Sequence, residues 1–287
     1  MSTDSVKGAA IITGAAQGVG KAIAIRLAKD GYDVALNDVP GKEDLLRTLA
    51  DEIISQGRKF IIVIADVTDE GSVVQMIKKT VFELGILRVM VANAGISLTF
   101  GSGFIDSNVF CLTFVTLQAL IMDPSTEAAR QMIQQGTWGR IIGKPHLTSL
   151  SFRRNLRKSP GASSINGKRA AEMIKHGITV NAYAPGLIDT PMGKVYPPKN
   201  NPTLLMIIII ARESITLEEK NLSKEEKTKR VLQRVSAATG LNIISMGVSE
   251  DVASLVSYLA SKESKFMTGT YEPVGQTLSV NGGVFFG

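Results

Sequence analysis

In the first third of the chain, short blocks of apolar residues alternate with longer stretches in which apolar positions recur every three or four residues. Ala9 to Thr13 is an apolar run, Val19, Ile23, Ala24 and Leu27 keep helical spacing within Gly18 to Lys29, and Asp33 to Leu36 turns apolar again. That order predicts β-α-β. The pattern then repeats, with an amphipathic stretch from Lys42 to Gln56, an apolar run from Phe60 to Ile64, a helical stretch from Glu70 to Leu84 and a fourth strand from Arg88 to Ala92. Blocks that are apolar throughout, not at alternate positions, fit strands buried on both faces. The expected fold class is therefore α/β, a Rossmann-type doubly wound parallel sheet with right-handed crossovers and its ligand at the carboxyl ends of the strands.

Beyond residue 96 the periodicity weakens. Ser97 to Asp123 carries glycines, phenylalanines and aliphatics without a clean period, whereas Ser125 to Gln135 reads as a helix and Arg140 to Ile142 as a fifth strand. Lys144 to Arg169 fits neither pattern. Ile178 to Ala182 is a strand running into Ala184-Pro185-Gly186, and within Gly193 to Gly240 the mixed charges of Leu217 to Arg234 predict a solvated helix. Ser249 to Ser261 reads as an amphipathic helix capped by its serine with Asp251 in the first turn, and Thr277 to Val280 as a last strand. A length of 287 residues suits one α/β domain over residues 1–287 with irregular insertions, 193–240 being an insertion or substrate-loop region.

Composition narrows the class of protein. With 44% hydrophobic and 20% charged residues the chain is of the soluble globular kind. The formal charge of +6 invites an anionic partner, and the stretch Arg153, Arg154, Arg157, Lys158, Lys168 and Arg169 invites nucleic acid. That stretch has only Phe152 as an aromatic neighbour, so it reads as solvated loop charge and no nucleic-acid partner is expected. The single cysteine, Cys111, excludes an internal disulfide, and no Cys/His cluster offers a metal site. His146 and His176 have no ligand-like neighbours. A reducing, cytoplasmic setting is expected. The longest aliphatic run, Leu204 to Ala211, is far below the roughly 18 residues that span a bilayer, so no membrane partner is expected either.

The segment Thr13-Gly-Ala-Ala-Gln-Gly-Val-Gly20 lies between a predicted strand and a predicted helix. Gly14, Gly18 and Gly20 keep side chains out of a turn that a phosphate must approach, and the helix start offers free N–H groups and partial positive charge. Asp38 follows the second strand, where a carboxylate accepts hydrogen bonds from the ribose hydroxyls of adenosine and repels a 2′-phosphate. The expected cofactor is NAD, with NADP less favoured, although Asn37 beside it softens that preference.

The sequence here resembles the short-chain dehydrogenase/reductase family, whose TGxxxGxG turn stands as TGAAQGVG with Gln17 and Val19 inside it. The resemblance extends to Asp66-Val67 as the adenine-contacting pair, to Asn93-Ala94-Gly95 after strand four, and to Pro185-Gly186 with Ile188 and Thr190 as the nicotinamide-side loop. QGVGKAIAIRLAKDGYDVALND, HGITVNAYAPGLIDTPM and DVASLVSYLASKESKFMTG look most like diacetyl/acetoin reductases, also called 2,3-butanediol dehydrogenases, and their fungal relatives. The resemblance implies a small carbonyl or alcohol substrate and a homo-oligomer.

The family's proton transfer uses a Tyr-x-x-x-Lys pair. Family spacing counted forward from Arg140 puts Ser159 and Ser163 at those positions, and counted back from Gly177 puts Asn155 and Ser159 there. The pair is missing in both frames, and the disagreement between them implies a shortened region that also alters the family's dimer interface. The family's helix asparagine falls near Leu117, with Asn108 a poor substitute, and Thr148, Ser149 and Ser151 are candidate hydroxyls without a register. The catalytic residues are thus unknown. Tyr258 and Lys262 satisfy the spacing literally but on the late helix, and Tyr183 has no lysine four residues on, so both tyrosines are expected to pack. Three readings stay open: an NAD(P)-dependent oxidoreductase that is catalytically impaired, a non-catalytic NAD-binding protein, or a mis-spliced or frame-shifted product of such a gene. The last is suggested by residues 270–275, whose removal would join Met267-Thr-Gly to Gln276-Thr-Leu-Ser-Val-Asn-Gly-Gly.

Overall fold

The computed structural model describes residues 6–95, 124–143, 172–185, 188–191, 247–268 and 278–280, together with Ser223, Glu226, Lys229, Arg230 and Gln233. The elements run β1 (Ala9–Thr13), α1 (Gly18–Lys29), β2 (Asp33–Asp38), α2 (Glu43–Ile54), β3 (Phe60–Ile64), α3 (Glu70–Leu84), β4 (Leu87–Ala92), α4 (Pro124–Gln134), β5 (Gly139–Gly143), β6 (Ile178–Pro185), α5 (Ser249–Ala260) and β7 (Leu278–Val280). The strands form one seven-stranded sheet in the order β3-β2-β1-β4-β5-β6-β7. Every pairing is parallel. The chain winds outward from β1 in one direction and then, after β3, from β4 in the other. This is the expected doubly wound Rossmann-type sheet, whose strand order reverses between β1 and β4.

The alternation of side chains along β1 divides the core in two. Ala10 and Ile12 point into a cluster with Ile23 and Leu27 of α1, Leu46 and Leu49 of α2, and Val252 and Val256 of α5. Ile11 points the other way, to Val73 and Met76 of α3 and Ala128 and Met132 of α4. Each large aliphatic side chain buried in this way contributes roughly 1.5–3 kcal/mol. Among the described residues three helices thus cover one face and two the other, so the middle of each strand is mainly apolar and polar residues such as Asp33, Asn37, Arg140 and Asn181 are buried with partners of their own.

Local chemistry sets the helix ends. Asp69 caps α3 by accepting from the Ser72 N–H at 2.7 Å. The cap of α5 differs from expectation: Ser249 is its first helical residue and Val248 its N-cap, so Asp251 closes the turn by accepting from the Val248 N–H at 2.8 Å. In the mixed-charge stretch, Glu226, Lys229, Arg230 and Gln233 are helical and exposed. Ser223 opens that helix, its Oγ accepting from the Glu226 N–H at 3.2 Å while Glu226 accepts from the Ser223 N–H at 3.0 Å. Among the described residues no helix is long and apolar enough to cross a membrane, and no cluster of His, Cys, Asp and Glu suits a metal.

Several positions singled out above lie outside the described residues. These are Gly186, Cys111, His146, the hydroxyls at 148, 149 and 151, the basic residues 153–169, the counted positions 108, 117, 155, 159 and 163, and the segment 270–275.

Candidate functional site

β1 ends at Thr13 and the chain turns sharply before α1. Gly14 and Gly18 both take left-handed conformations, with φ of 65° and 57°. Gly20 needs the absence of a side chain for a different reason: a Cβ there would lie 2.0 Å from the carbonyl oxygen of Gly14. The turn is folded so tightly onto the first helical turn that no other residue fits.

The helix that follows is open at its start. Gln17 is the N-cap of α1 but makes no side-chain cap, and the first turn holds no acidic residue. By contrast, α2, α3 and α5 each carry acidic residues in theirs. The leading N–H groups of α1 thus meet no side-chain cap and no carboxylate of their own helix, the arrangement that receives a phosphate. The glycine turn and the uncapped helix start together fit the pyrophosphate of a dinucleotide. Val19 is 9% exposed and packs into the core below the turn.

Asp38, the last residue of β2, is bound into the same turn. Its Oδ2 accepts from the Ala16 N–H at 3.0 Å and its Oδ1 from the Val39 N–H at 2.9 Å. Asn37 faces away from this edge. It is fully buried and its Nδ2 donates to the carbonyls of Val63 and Ala65, each at 3.0 Å. It ties β2 to the end of β3, so the anticipated influence of its side chain on cofactor preference has no geometric basis. After β3, Asp66 is exposed and accepts from both the N–H and the hydroxyl of Thr68, whereas Val67 is buried.

At the end of β4 a polar cluster closes over Thr13. The Thr13 Oγ1 accepts from the N–H groups of Asn93 and Ala94, each at 3.0 Å, and donates to the Val91 carbonyl at 3.3 Å. The Asn93 Nδ2 donates to the carbonyls of Thr13 at 2.9 Å and Gly14 at 3.3 Å. Ala94 is half-buried and Gly95 exposed. From β6, the Tyr183 hydroxyl donates to Asn93 Oδ1 at 2.9 Å. Burial pushes the Tyr183 phenol far above the usual tyrosine range. Tyr183 does pack, as expected, but it also reaches the glycine turn through Asn93. The available signal was a tyrosine in a strand otherwise reading as buried, whose hydroxyl must find a partner.

The loop after β6 returns to the turn. Pro185 is buried, Ile188 forms a parallel bridge with Gly247, and the Asp189 N–H donates to the Gly247 carbonyl at 3.0 Å. A Cβ at Gly18 would lie 3.4 Å from Thr190 Cβ, so this loop sits directly against the glycine turn. The carboxyl edge of the sheet therefore gathers residues 13–20, Asp38, Asn93 to Gly95 and Ile188 to Thr190, with Asp66 and Val67 at the end of the outermost strand.

The description "short chain dehydrogenase" belongs to the family model that matches residues 8–144. A short-chain dehydrogenase/reductase of Armillaria gallica is 38% identical over 284 residues, covering 96% of this chain and 95% of that protein. The chain belongs to the short-chain dehydrogenase/reductase family. Further relatives include the L-2,3-butanediol dehydrogenase of Corynebacterium glutamicum, 30% identical with 96% of this chain and 98% of that protein covered. Among solved structures, acetoin dehydrogenase YohF from Salmonella typhimurium matches with a TM-score of 0.64 and 26% identity over 98% of this chain and 96% of that one. Members of the family are NAD(P)-dependent oxidoreductases that act on small carbonyls and alcohols and are commonly oligomeric.

As a short-chain dehydrogenase/reductase, the chain has its literal Tyr-x-x-x-Lys at the wrong pole. Tyr258 and Lys262 flank the end of α5, where the Tyr32 hydroxyl, one residue before β2, donates to the Ala260 carbonyl at 2.8 Å. Tyr258, with Lys7, Arg26, Asp30 and Tyr32, borders a cavity of about 340 Å³. That is the amino end of the strands, whereas the glycine turn follows a carboxyl end. His176 is exposed.

Proposed function

We propose that this chain is an NAD-dependent oxidoreductase of the small ketone, diketone or secondary alcohol type, with an intact cofactor half and an impaired proton-transfer half. The observation carrying the reading is the joining of Asp38 to the glycine turn through Ala16, which aims a carboxylate at the rim where an adenosine ribose would sit. A bound nicotinamide would supply or accept the hydride. The groups proposed to hold the cofactor are the N–H groups of Gly14, Gln17, Gly18, Val19 and Gly20 at its pyrophosphate, Asp38 at the ribose, and Asp66 and Val67 at the adenine. Asn93, Ala94 and Gly95 would wall the nicotinamide half, with Pro185, Gly186, Ile188 and Thr190 opposite. A carboxylate at position 38 disfavours NADP, because a 2′-phosphate would meet a like charge.

The impairment rests on residue types. Serine or asparagine at positions 155, 159 and 163 offers neither a phenol nor an ammonium to lower its pKa. The diacetyl/acetoin reductase assignment is supported by the butanediol- and acetoin-acting names among the relatives. A single domain spanning 1–287, with 193–240 as an insertion or substrate-loop region, is part of the same reading, as are a cytoplasmic setting and a homo-oligomer with an altered interface.

The missing pair also favours a non-catalytic NAD-binding protein, and residues 270–275 favour an altered gene product. One titration with NADH followed by a panel of small carbonyls separates these. Binding with slow turnover is expected; binding with none would favour the non-catalytic reading, diacetyl reduction at an ordinary enzyme rate would remove the impairment, and absence of binding would remove the cofactor reading. A transcript carrying all 287 codons in frame would eliminate the altered gene product.

A further inference from the structure

Tyr32 and Tyr183 are both buried to 2% exposure or less, and each donates one hydrogen bond. Tyr32 spends its bond at the amino ends of the strands, on Ala260. Tyr183 spends it at the carboxyl ends, on a side chain two strands away, because β5 lies between β4 and β6. Its acceptor is the amide oxygen of Asn93, whose nitrogen faces the carbonyls of Thr13 and Gly14. That donor on one side and two acceptors on the other permit a single orientation of the amide. Flipped, it would set its oxygen against two carbonyl oxygens, so those carbonyls select the orientation and the phenol supplies the donor for the oxygen that results. The Gly14 carbonyl held in this way is the one that Gly20 must clear.

We propose that Tyr183 is a positioning residue for the cofactor, anchoring the Asn93 amide so that Asn93 fixes the Gly14 carbonyl and with it the shape of the pyrophosphate turn. The proposal rests on the reading of residues 13–20 as the dinucleotide cradle. Nothing in the chemistry requires Tyr183 to touch substrate. A phenylalanine there keeps the ring and leaves Asn93 Oδ1 buried without its donor, which loosens the hold of the amide on the Gly14 carbonyl.

The test compares Y183F with Y32F, which removes an equally buried hydroxyl from the opposite pole. Amide hydrogen exchange of peptides covering residues 13–20 is measured without cofactor, and NADH affinity by fluorescence titration. Y183F is expected to speed exchange in the turn and weaken NADH binding roughly tenfold, the effect of one unsatisfied buried acceptor. Y32F is expected to lower the melting temperature while leaving both readouts unchanged. Equal exchange and equal affinity in the two variants would overturn the proposal. Should Y183F not fold, N93S removes the amide itself and must produce at least the same loss; unchanged binding by N93S is equally fatal. If the unaltered protein binds no NADH, the cofactor reading fails and the binding role with it, while the exchange comparison still decides whether Tyr183 shapes the turn.

Discussion

The carboxylate of Asp38 and the backbone N–H of Ala16 meet at 3.0 Å, which joins the end of β2 to the middle of the glycine turn. One side chain thereby has two duties, bracing the turn and presenting negative charge at its rim. The two separate by substitution. D38N keeps an oxygen for Ala16 but loses the charge, so it is expected to retain most NADH affinity and gain NADPH binding. D38A loses both and is expected to weaken NADH about 10- to 100-fold, the range for a charge-assisted hydrogen bond. Titration of each variant with both reduced cofactors checks this. Parallel NADH and NADPH curves for the unaltered protein would count against the assignment to NAD.

Gly20 provides a steric test. Its Cβ would stand 2.0 Å from a backbone oxygen, and backbone cannot swing aside as the end of a side chain can. G20A is expected to cost roughly 2–4 kcal/mol, as overpacking at a rigid site does, and to abolish detectable NADH binding. At Gly41, where φ is 86° and no neighbour lies within 4 Å, alanine meets conformational strain alone. G41A should therefore cost on the order of 1 kcal/mol and spare binding. Similar melting temperatures for the two variants would contradict the steric account.

The contrast between these glycines explains what was legible in the sequence. β1 to β4 can be read because each carries a run of at least three apolar residues, buried on both faces in β1, β2 and β4 and partly buried in β3. Asp38 can be read because it is the carboxylate that follows such a run at the carboxyl edge. Asn37, one residue earlier, carries no such signal in its residue type, because only the sheet shows that its side chain donates to the carbonyls of Val63 and Ala65. Tyr183 was seen only as packing, since its partner Asn93 is 90 residues away in the chain and becomes adjacent only through the sheet order. At α5 the presence of Ser249 suggested a serine cap, yet the acidic Asp251 reaches back to the Val248 N–H. Residues 97–123 and 144–169 lack a period of 2 or 3.6, so patterning had nothing to act on there.

Asp69 at the acid end and the buried tyrosines Tyr32 and Tyr183 at the alkaline end give the stability a pH dependence of opposite sign. Hydrogen bonds from Ser72 hold the Asp69 carboxyl below the ordinary aspartate value. Its contribution is therefore present above the unfolded pKa and lost as pH falls through the lower folded one. Burial pushes Tyr32 up to about 12, so its contribution is complete below pH ~10 and disappears as pH rises toward 12. With allowance for partial solvent screening this is worth on the order of 2 kcal/mol. Melting temperature against pH should accordingly fall at both ends. D69A should flatten the acid limb and Y32F part of the alkaline limb, the remainder belonging to Tyr183, and a Y32F curve parallel to that of the unaltered protein above pH 10 would exclude Tyr32 as a source.

Tyr258 and Lys262 test whether spacing alone makes a catalytic pair. The groups that would hold a dinucleotide lie where β1, β2, β4 and β6 end, while Tyr258 and Lys262 flank the last turn of α5, against the residue that precedes β2. The Tyr258 carbonyl is occupied structurally, accepting from the N–H of Ser261 at 3.1 Å and from its hydroxyl at 2.7 Å. Its ring is 41% exposed. A parallel sheet keeps its two edges a full strand length apart, roughly 17 Å or more for five residues, and a proton cannot be passed over that distance in one transfer. Y258F and K262A are therefore expected to leave NADH affinity and any residual carbonyl reduction within about twofold of the unaltered protein, a change of under ~0.5 kcal/mol. A hundredfold fall in reduction by either variant, with NADH binding intact, would mean that the chemistry takes place at the amino edge, and the location of the site would have to be abandoned.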